Sequence, residues 1–250
     1  MHVNRFQAFA LHLATSAIVV SLFLALTFFV LYPPPLFEVE GTRSAIQVLL
    51  GVDIVLGPLL TLVVFKPGKP GLKFDMAVII AIQLGGFIYG AHVIVSERPA
   101  IVSFAVDRFV VIPAADTKEM AMDKLDSKQV KLKAIGPTYV YTEMPENPAE
   151  HDLVFGPLEG MPDLERRPEF YRDFHANIAR NFDKAIDLKK YVKKYEDARD
   201  EVENYLKSSG KSYEDIAAYP VSGKQHDVVM VVDKKSKQLA GFIDINPWRR

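Results

Sequence analysis

Two polar side chains lie in the middle of long apolar runs. Asp53 falls about nine residues into a run over residues 44–65, and Gln83 about nine residues into a run over residues 74–95. At about 1.5 Å per helical residue, both would lie about 14 Å deep in a membrane, level with each other in antiparallel helices. A carboxyl group at this depth costs at least about 2.5 kcal/mol, so it needs a proton, a partner or a function. The sequence leaves open whether a protonated Asp53 only bonds Gln83 or backbone, or whether it also binds a ligand.

The patterns that catalytic and metal sites require are missing from the sequence. Intramembrane aspartyl catalysis needs two carboxylates that share a proton, but Asp75 lies at the predicted membrane boundary, so Asp53 has no second deep carboxylate. The six histidines show no metal-ligand spacing, and the absence of cysteine excludes thiol catalysis and disulfides. The glycines of residues 66–73 lack the order of a phosphate-binding loop. We therefore expect no catalytic residues, no metal site and no cofactor.

Three apolar runs predict a membrane anchor over residues 1–95. They cover about residues 10–32, 44–65 and 74–95, and each reaches the roughly 20 residues that a membrane-spanning helix needs. The first run is longer than the apolar part of a signal peptide, which has about 7–15 residues, so we expect it to stay uncleaved.

The charges of the two connecting loops predict the orientation of the anchor. The loop over residues 66–73 has three lysines and no acid, and short basic loops stay cytoplasmic. The loop over residues 32–42 has Glu38 and Glu40 and no basic residue, so it belongs outside. The expected topology is N-in and C-out, with residues 96–250 outside. A net charge of −1 without a basic cluster gives no reason to expect nucleic acid as a partner.

Small residues and a proline mark the faces of the second and third runs that pack closely. Gly86 and Gly90 form a GxxxG pair, and Pro58 after Gly57 removes a backbone donor and frees a carbonyl for a neighbour. These residues either pack the anchor internally or present a groove to the helix of a partner. The binding hypothesis comprises six residues: Asp53, Gly57, Pro58, Gln83, Gly86 and Gly90.

Residues 96–250 carry most of the charge and the mixed periodicity of a soluble fold. The predicted elements are a strand over residues 100–112, a short helix after Asp116, a strand over 138–142, a loop over 143–163, a helical stretch from 168 to about 206 and a hairpin of 227–233 with 239–245. We expect an α+β domain with an antiparallel sheet.

Several short stretches resemble the type IV pilin accessory proteins of the TfpX/TfpZ family. The main one is GVDIVLGPLLTL at residues 51–62, which runs on to FKPGK at 65–69. The others are RFQAF at 5–9 with His12, YP at 32–33 with PLF at 35–37, FAVDRF at 104–109 and NPW at 246–248. The resemblance implies a non-enzymatic, chaperone-like factor of the bacterial inner membrane with a periplasmic C-terminal domain. Its expected partners are the major type IV pilin, the pilus assembly machinery and membrane lipid.

Two alternatives to a pilin chaperone remain open. A membrane-tethered enzyme that modifies pilin or lipid would alter the mass of its product. A scaffold subunit of the pilus assembly machine would accompany the components of that machine even when pilin is absent.

Overall fold

The chain folds into a helical unit and a sheet unit, and the boundary between them does not follow the sequence order. The computed structural model describes residues 3–145 and 163–249. The helical unit comprises Met1–Pro33 and Thr42–Glu97, and the sheet unit comprises Pro34–Gly41 and Arg98–Arg250. Most of the predicted loop over 143–163, together with His151, lies outside the described residues.

Three long helices form the helical unit. They are α1 (Arg5–Leu31), α3 (Arg43–Val64) and α4 (Leu72–Ser96), and each is long and apolar enough to cross a membrane. Their bounds agree with the three apolar runs of the sequence. Helix α1 begins at a capping box, in which the Asn4 side chain accepts from the backbone N–H of Gln7 and the Gln7 side chain accepts from that of Asn4.

A seven-stranded mixed sheet forms the centre of the sheet unit. The strands are β1 (Pro99–Ala105), β2 (Arg108–Pro113), β3 (Thr138–Thr142), β4 (Tyr171–Asp173), β5 (Ile216–Ser222), β6 (Val228–Asp233) and β7 (Leu239–Ile243). Their order is β4-β3-β1-β2-β5-β6-β7. Strand β1 pairs in parallel with β3, and β2 pairs in parallel with β5. The expected antiparallel sheet was therefore wrong, because local sequence signals reveal hairpins but not parallel pairs, which long crossover connections bring together.

Both faces of the sheet are covered. On β5 and β6, Tyr219 and Met230 face one apolar cluster while Ala218 and Val231 face another. The second cluster includes residues of helices α6 (Leu188–Lys194) and α7 (Arg199–Ser209). Strands buried on both faces read as continuous apolar runs, without the alternation that marks a half-exposed strand.

The segment Pro34–Gly41, here called the strap, is part of the sheet unit although it connects α1 to α3. Its short helix α2 (Leu36–Val39) places Leu36 and Val39, both fully buried, in the same apolar cluster as Phe104 and Phe109. The Val39 carbonyl accepts from the backbone N–H groups of Gln225 at 3.1 Å and His226 at 3.3 Å. The strap therefore completes the core of the sheet unit.

Several local predictions need correction. The run over residues 100–112 is a hairpin, because the chain turns at Val106 so that Phe104 pairs with Phe109 across β1 and β2. The helical stretch predicted from 168 to about 206 contains helices α6 and α7, but also strand β4, the short helix α5 (Phe174–Asn177) and 3-10 turns at Pro168–Phe170, Ile178–Lys184 and Glu196–Ala198. After Asp116 the chain forms two 3-10 turns, Asp116–Lys118 and Met122–Lys124. The strand over 138–142 and the C-terminal hairpin are confirmed.

Candidate functional site

The helical unit contains a groove with apolar walls and a partly polar floor. It has a volume of about 480 Å³ and lies among α1, α3 and α4. Its polar lining residues are His12, Thr15, Ser16, Asp53, Thr61 and Gln83. The volume falls within the usual range of ligand pockets, about 300–1,000 Å³.

Helices α1 and α4 contact each other in their C-terminal halves. The rings of Phe23 and Phe87 contact edge to face with centroids 5.4 Å apart, and the Tyr32 hydroxyl donates to the Ile94 carbonyl at 2.8 Å. Away from these contacts, Leu11 on α1 and Leu84 on α4 line the groove and remain exposed. An apolar helix could lay one face between these two walls.

Asp53 lines the groove and is buried there. The residue is only 5% exposed. Within the part of the chain that the structure describes, its Oδ2 atom has no hydrogen-bond partner. A buried polar atom without a partner carries a desolvation cost of about 1–3 kcal/mol. A ligand that forms a hydrogen bond with this atom would recover part of that cost.

Pro58 explains why the backbone carbonyl of Asp53 has no backbone donor. Residues Gly51–Leu56 are π-helical, and the backbone N–H of Gly57 donates to the carbonyl of Val52. The carbonyl of Asp53 therefore loses Gly57 as its α-helical partner, and the next residue, Pro58, has no N–H to donate. The side-chain Nε2 of Gln83 donates to this freed carbonyl at 3.3 Å.

Gly57 permits that hydrogen bond from α4. A Cβ atom on Gly57 would overlap the side-chain amide of Gln83. Asp53 and Gln83 are thus level with each other, as the rise per residue predicts, but they meet through the Asp53 backbone carbonyl and leave the carboxyl group available.

A second polar pair lies two helical turns away along α3. The buried Thr61 Oγ1 lies 2.6 Å from Nδ1 of His12 on α1, within hydrogen-bonding distance. Thr61 follows Asp53 by eight residues, which corresponds to about 12 Å along a helix. The binding hypothesis did not include either residue, although their polarity within apolar runs was visible in the sequence.

Gly86 and Gly90 do not line the groove. A Cβ on Gly86 would lie 3.7 Å from Val52 Cγ1, and a Cβ on Gly90 would lie 3.5 Å from Leu49 Cδ1. Both glycines therefore face α3 within the same chain. Of the six residues in the binding hypothesis, the structure brings together Asp53, Gly57, Pro58 and Gln83.

The groove offers hydrogen bonding and apolar contact. A carboxyl group, an imidazole, hydroxyl groups and an amide line it, and these can bond to polar groups of a ligand. Among residues 3–145 and 163–249, no cluster of three or more His, Cys, Asp or Glu side chains could hold a metal ion. The arrangement fits binding of a largely apolar partner that carries a few polar groups.

The chain is similar to known fimbrial assembly proteins. The family model "Fimbrial assembly protein FimB" matches residues 2–41, which cover α1 and the strap. Fimbrial assembly proteins of Dichelobacter nodosus match over 109 residues, 42% of this chain: the serogroup I protein at 38% identity and the serogroups C1 and C2 protein at 37%.

These matches cover different shares of the relatives. The match spans 82% of the serogroups C1 and C2 protein, but only 42% of the serogroup I protein and 42% of the serogroup E1 protein, which is 36% identical. No solved structure matches the chain. The identity to the C1 and C2 protein over most of its length shows that the chain belongs to the fimbrial assembly protein family.

Proposed function

We propose that this chain is an inner-membrane accessory factor of the TfpX/TfpZ type that binds the major type IV pilin and supports its stability or assembly. The role is that of a chaperone and not of an enzyme. The names of the relatives support a part in fimbrial assembly. The observation that carries the binding role is the groove in the helical unit, which Asp53 lines and where its Oδ2 has no hydrogen-bond partner among residues 3–145 and 163–249.

The strap supports the proposed N-in, C-out topology. Because Leu36 and Val39 share a core with the sheet strands, a membrane cannot separate the strap from the sheet unit. Three crossings place both on one side, and the basic loop over residues 66–73 takes the cytoplasmic side. In this topology residues 1–95 are the anchor, interrupted by the strap, and residues 96–250 are periplasmic.

A pilin that awaits assembly suits this groove. Such a pilin is a membrane helix with an exported head, and helix-in-groove recognition places apolar side chains of one helix face between two walls. The walls formed by α1 and α4 supply apolar contact, and the floor supplies hydrogen bonds. The pilin is then held in the membrane until the assembly machine takes it.

Site-specific photocrosslinking in intact cells tests this function. Leu11 and Leu84 line the groove and are 68% and 56% exposed, while Leu22 and Ile82 on the same helices are 67% and 64% exposed but do not line it. We expect pilin to crosslink to probes at Leu11 and Leu84, and much less to probes at Leu22 and Ile82. Equal crosslinking at all four positions, or none, would contradict the proposal.

Crosslinking in cells without pilin, together with the mass of pilin in cells without this protein, separates the alternative functions. Crosslinks only to components of the assembly machine, retained in cells without pilin, would favour the scaffold function. The chaperone function predicts that pilin keeps its mass when the gene is deleted and that only its amount or its assembly falls. A change in pilin mass would favour the membrane-tethered enzyme.

A further inference from the structure

The floor of the groove has two polar positions with a fixed separation. The first is Asp53, whose Oδ2 has no partner among the described residues. The second is the pair of His12 and Thr61, which retains bonding capacity because an imidazole has two nitrogens and a hydroxyl has a donor and two lone pairs. Asp53 and Thr61 lie eight residues apart on α3, about 12 Å along the helix.

A lipid acyl chain can fill the apolar space but cannot bond to either position. The backbone of a helix also offers nothing in its interior, since its N–H and C=O groups are paired within the helix. The groups that can meet Asp53 and the His12–Thr61 pair are therefore polar side chains of an otherwise apolar helix.

From this spacing we infer that the groove selects an apolar membrane helix with two polar side chains seven or eight residues apart, one against Asp53 and one against the His12–Thr61 pair. Residues seven apart lie on one face of a helix and are separated by about 10.5 Å, and residues eight apart by about 12 Å. A single face of the helix thus reaches both positions. The inference rests on the proposed function in that it takes the groove as a binding site for a membrane helix.

The test uses synthetic peptides and the full-length protein in lipid nanodiscs. Three fluorescent peptides of about 20 Leu and Ala residues serve as probes: one without polar residues, one with two Asn seven apart, and one with two Asn nine apart. The last peptide has the same composition, but its Asn side chains lie on opposite faces at about 13.5 Å. Energy transfer from a labelled protein gives the affinity of each.

We expect the peptide with the seven-residue spacing to bind about tenfold more tightly than the other two, from two interhelical hydrogen bonds in the membrane. In Asp53→Val this advantage should shrink to a few-fold or vanish, whereas Asp53→Asn should keep most of it. Thr61→Val, which is close to isosteric, should reduce the advantage independently. Equal binding of all three peptides, or a full advantage in Asp53→Val, would overturn the inference.

The peptide experiment and the crosslinking experiment can fail independently of each other. If the peptides show the spacing preference but pilin does not crosslink at Leu11 and Leu84, the selectivity of the groove stands and the pilin function fails. If pilin crosslinks there but the peptides show no preference, the pilin function stands and this selectivity is wrong.

Discussion

The side-chain amide of Gln83 occupies the space that a Cβ atom on Gly57 would need. From that position its Nε2 donates to the carbonyl of Asp53 at 3.3 Å, the carbonyl that the π-helical turn before Pro58 leaves without a backbone donor. Because Gly57 on α3 has no side chain, the Gln83 side chain on α4 can reach the Asp53 carbonyl and replace the missing backbone donor. Because Gln83 donates to the Asp53 carbonyl and not to its side chain, it does not occupy the Asp53 Oδ2 atom.

Replacing Gly57 by Ala should destabilise the helical unit. The new methyl group displaces Gln83 and leaves the Asp53 carbonyl without a partner, at a cost of about 1–3 kcal/mol in the free energy of unfolding. Unfolding in mixed micelles, followed by the far-UV signal of the helices, measures this cost.

Two further variants make the Gly57 prediction specific. Gly85→Ala is the matched control, since a Cβ there meets nothing within 4 Å, and it should cause no loss of stability. Gln83→Ala combined with Gly57→Ala should cost less than the sum of the single changes, because both remove the same hydrogen bond. Strict additivity would show that Gly57 does not act through Gln83.

The part of the groove that lies within α3 and between α3 and α4 could be predicted from sequence. Helical rise alone places Asp53 level with Gln83, and the missing N–H of Pro58 alone predicts a free carbonyl. The contact of His12 with Thr61 could not be predicted in this way. It depends on how α1 is rotated against α3, which tertiary packing decides and which a uniformly apolar helix does not encode.

In the sheet unit, too, local elements could be predicted from the sequence but contacts between distant segments could not. The strand over 138–142 and the C-terminal hairpin followed from β-branched and aromatic runs next to turn residues. Strand β5 contains Pro220 and is buried on both faces, so it lacks the alternation by which a strand is recognised. The position of the strap in the core depends on residues about 65 to 190 positions away, which local periodicity cannot reveal.

Shortening the Leu36 side chain of the strap should destabilise the sheet unit, although in sequence the strap lies between two long apolar helices of the helical unit. Leu36 is fully buried in the core cluster, so Leu36→Ala should cost about 2–5 kcal/mol. Hydrogen exchange read by mass spectrometry should show lower protection in β1 and β2 of the full-length protein. Ile135→Ala, at an exposed site of the same unit, should stay within about 0.5 kcal/mol of wild type.

The close contact of Gly223 with the strap offers an independent test. A Cβ on Gly223 would overlap Val39 Cγ1 and lie 2.6 Å from the Val39 carbonyl oxygen. We expect Gly223→Ala to increase hydrogen exchange across the strap. Unchanged exchange in both Leu36→Ala and Gly223→Ala would mean that the strap does not contribute to the core.

The turn between β1 and β2 is strained at Val106. Its φ is +60°, and the backbone N–H of Asp107 donates to the carbonyl of Ala105 at 2.7 Å, which is the geometry of a γ-turn. Val106 is 41% exposed, so truncation loses only part of the burial of a core valine. Val106→Gly should raise the free energy of unfolding by about 0.5–1 kcal/mol, because glycine adopts positive φ without the steric cost.

The neighbouring residue provides the control for this turn. Asp107→Gly removes the ion pair with Arg108 at 2.8 Å and increases the freedom of the unfolded chain, so it should not stabilise the protein. Thermal unfolding of both variants and wild type under one condition gives the Tm values that test this prediction. If Val106→Gly lowers Tm, strain at this turn is not a net cost to the fold.

The Asp233 carboxylate, at the end of β6, should make stability depend on pH. Its hydrogen bonds from Lys211 Nζ at 2.5 Å and from the backbone N–H of Ser236 at 2.6 Å hold its pKa well below the ordinary value. A carboxyl group with a depressed folded-state pKa stabilises the protein above the unfolded pKa of about 3.9. That stability is lost as pH falls below about 4 and approaches the folded pKa.

Asp233→Asn isolates this contribution. The variant should melt below wild type at pH 7. The difference in Tm should narrow steadily as the pH is lowered from about 4 to about 2, because wild type then loses the stabilisation by the ionised carboxylate, which the variant lacks at every pH. Asp200→Asn, at an exposed position in the first turn of α7, removes only a favourable interaction with the helix dipole and should lower Tm at pH 7 by less than Asp233→Asn does. A difference for Asp233→Asn that stays constant down to pH 2 would mean that the ionised carboxylate is not what closes the turn between β6 and β7.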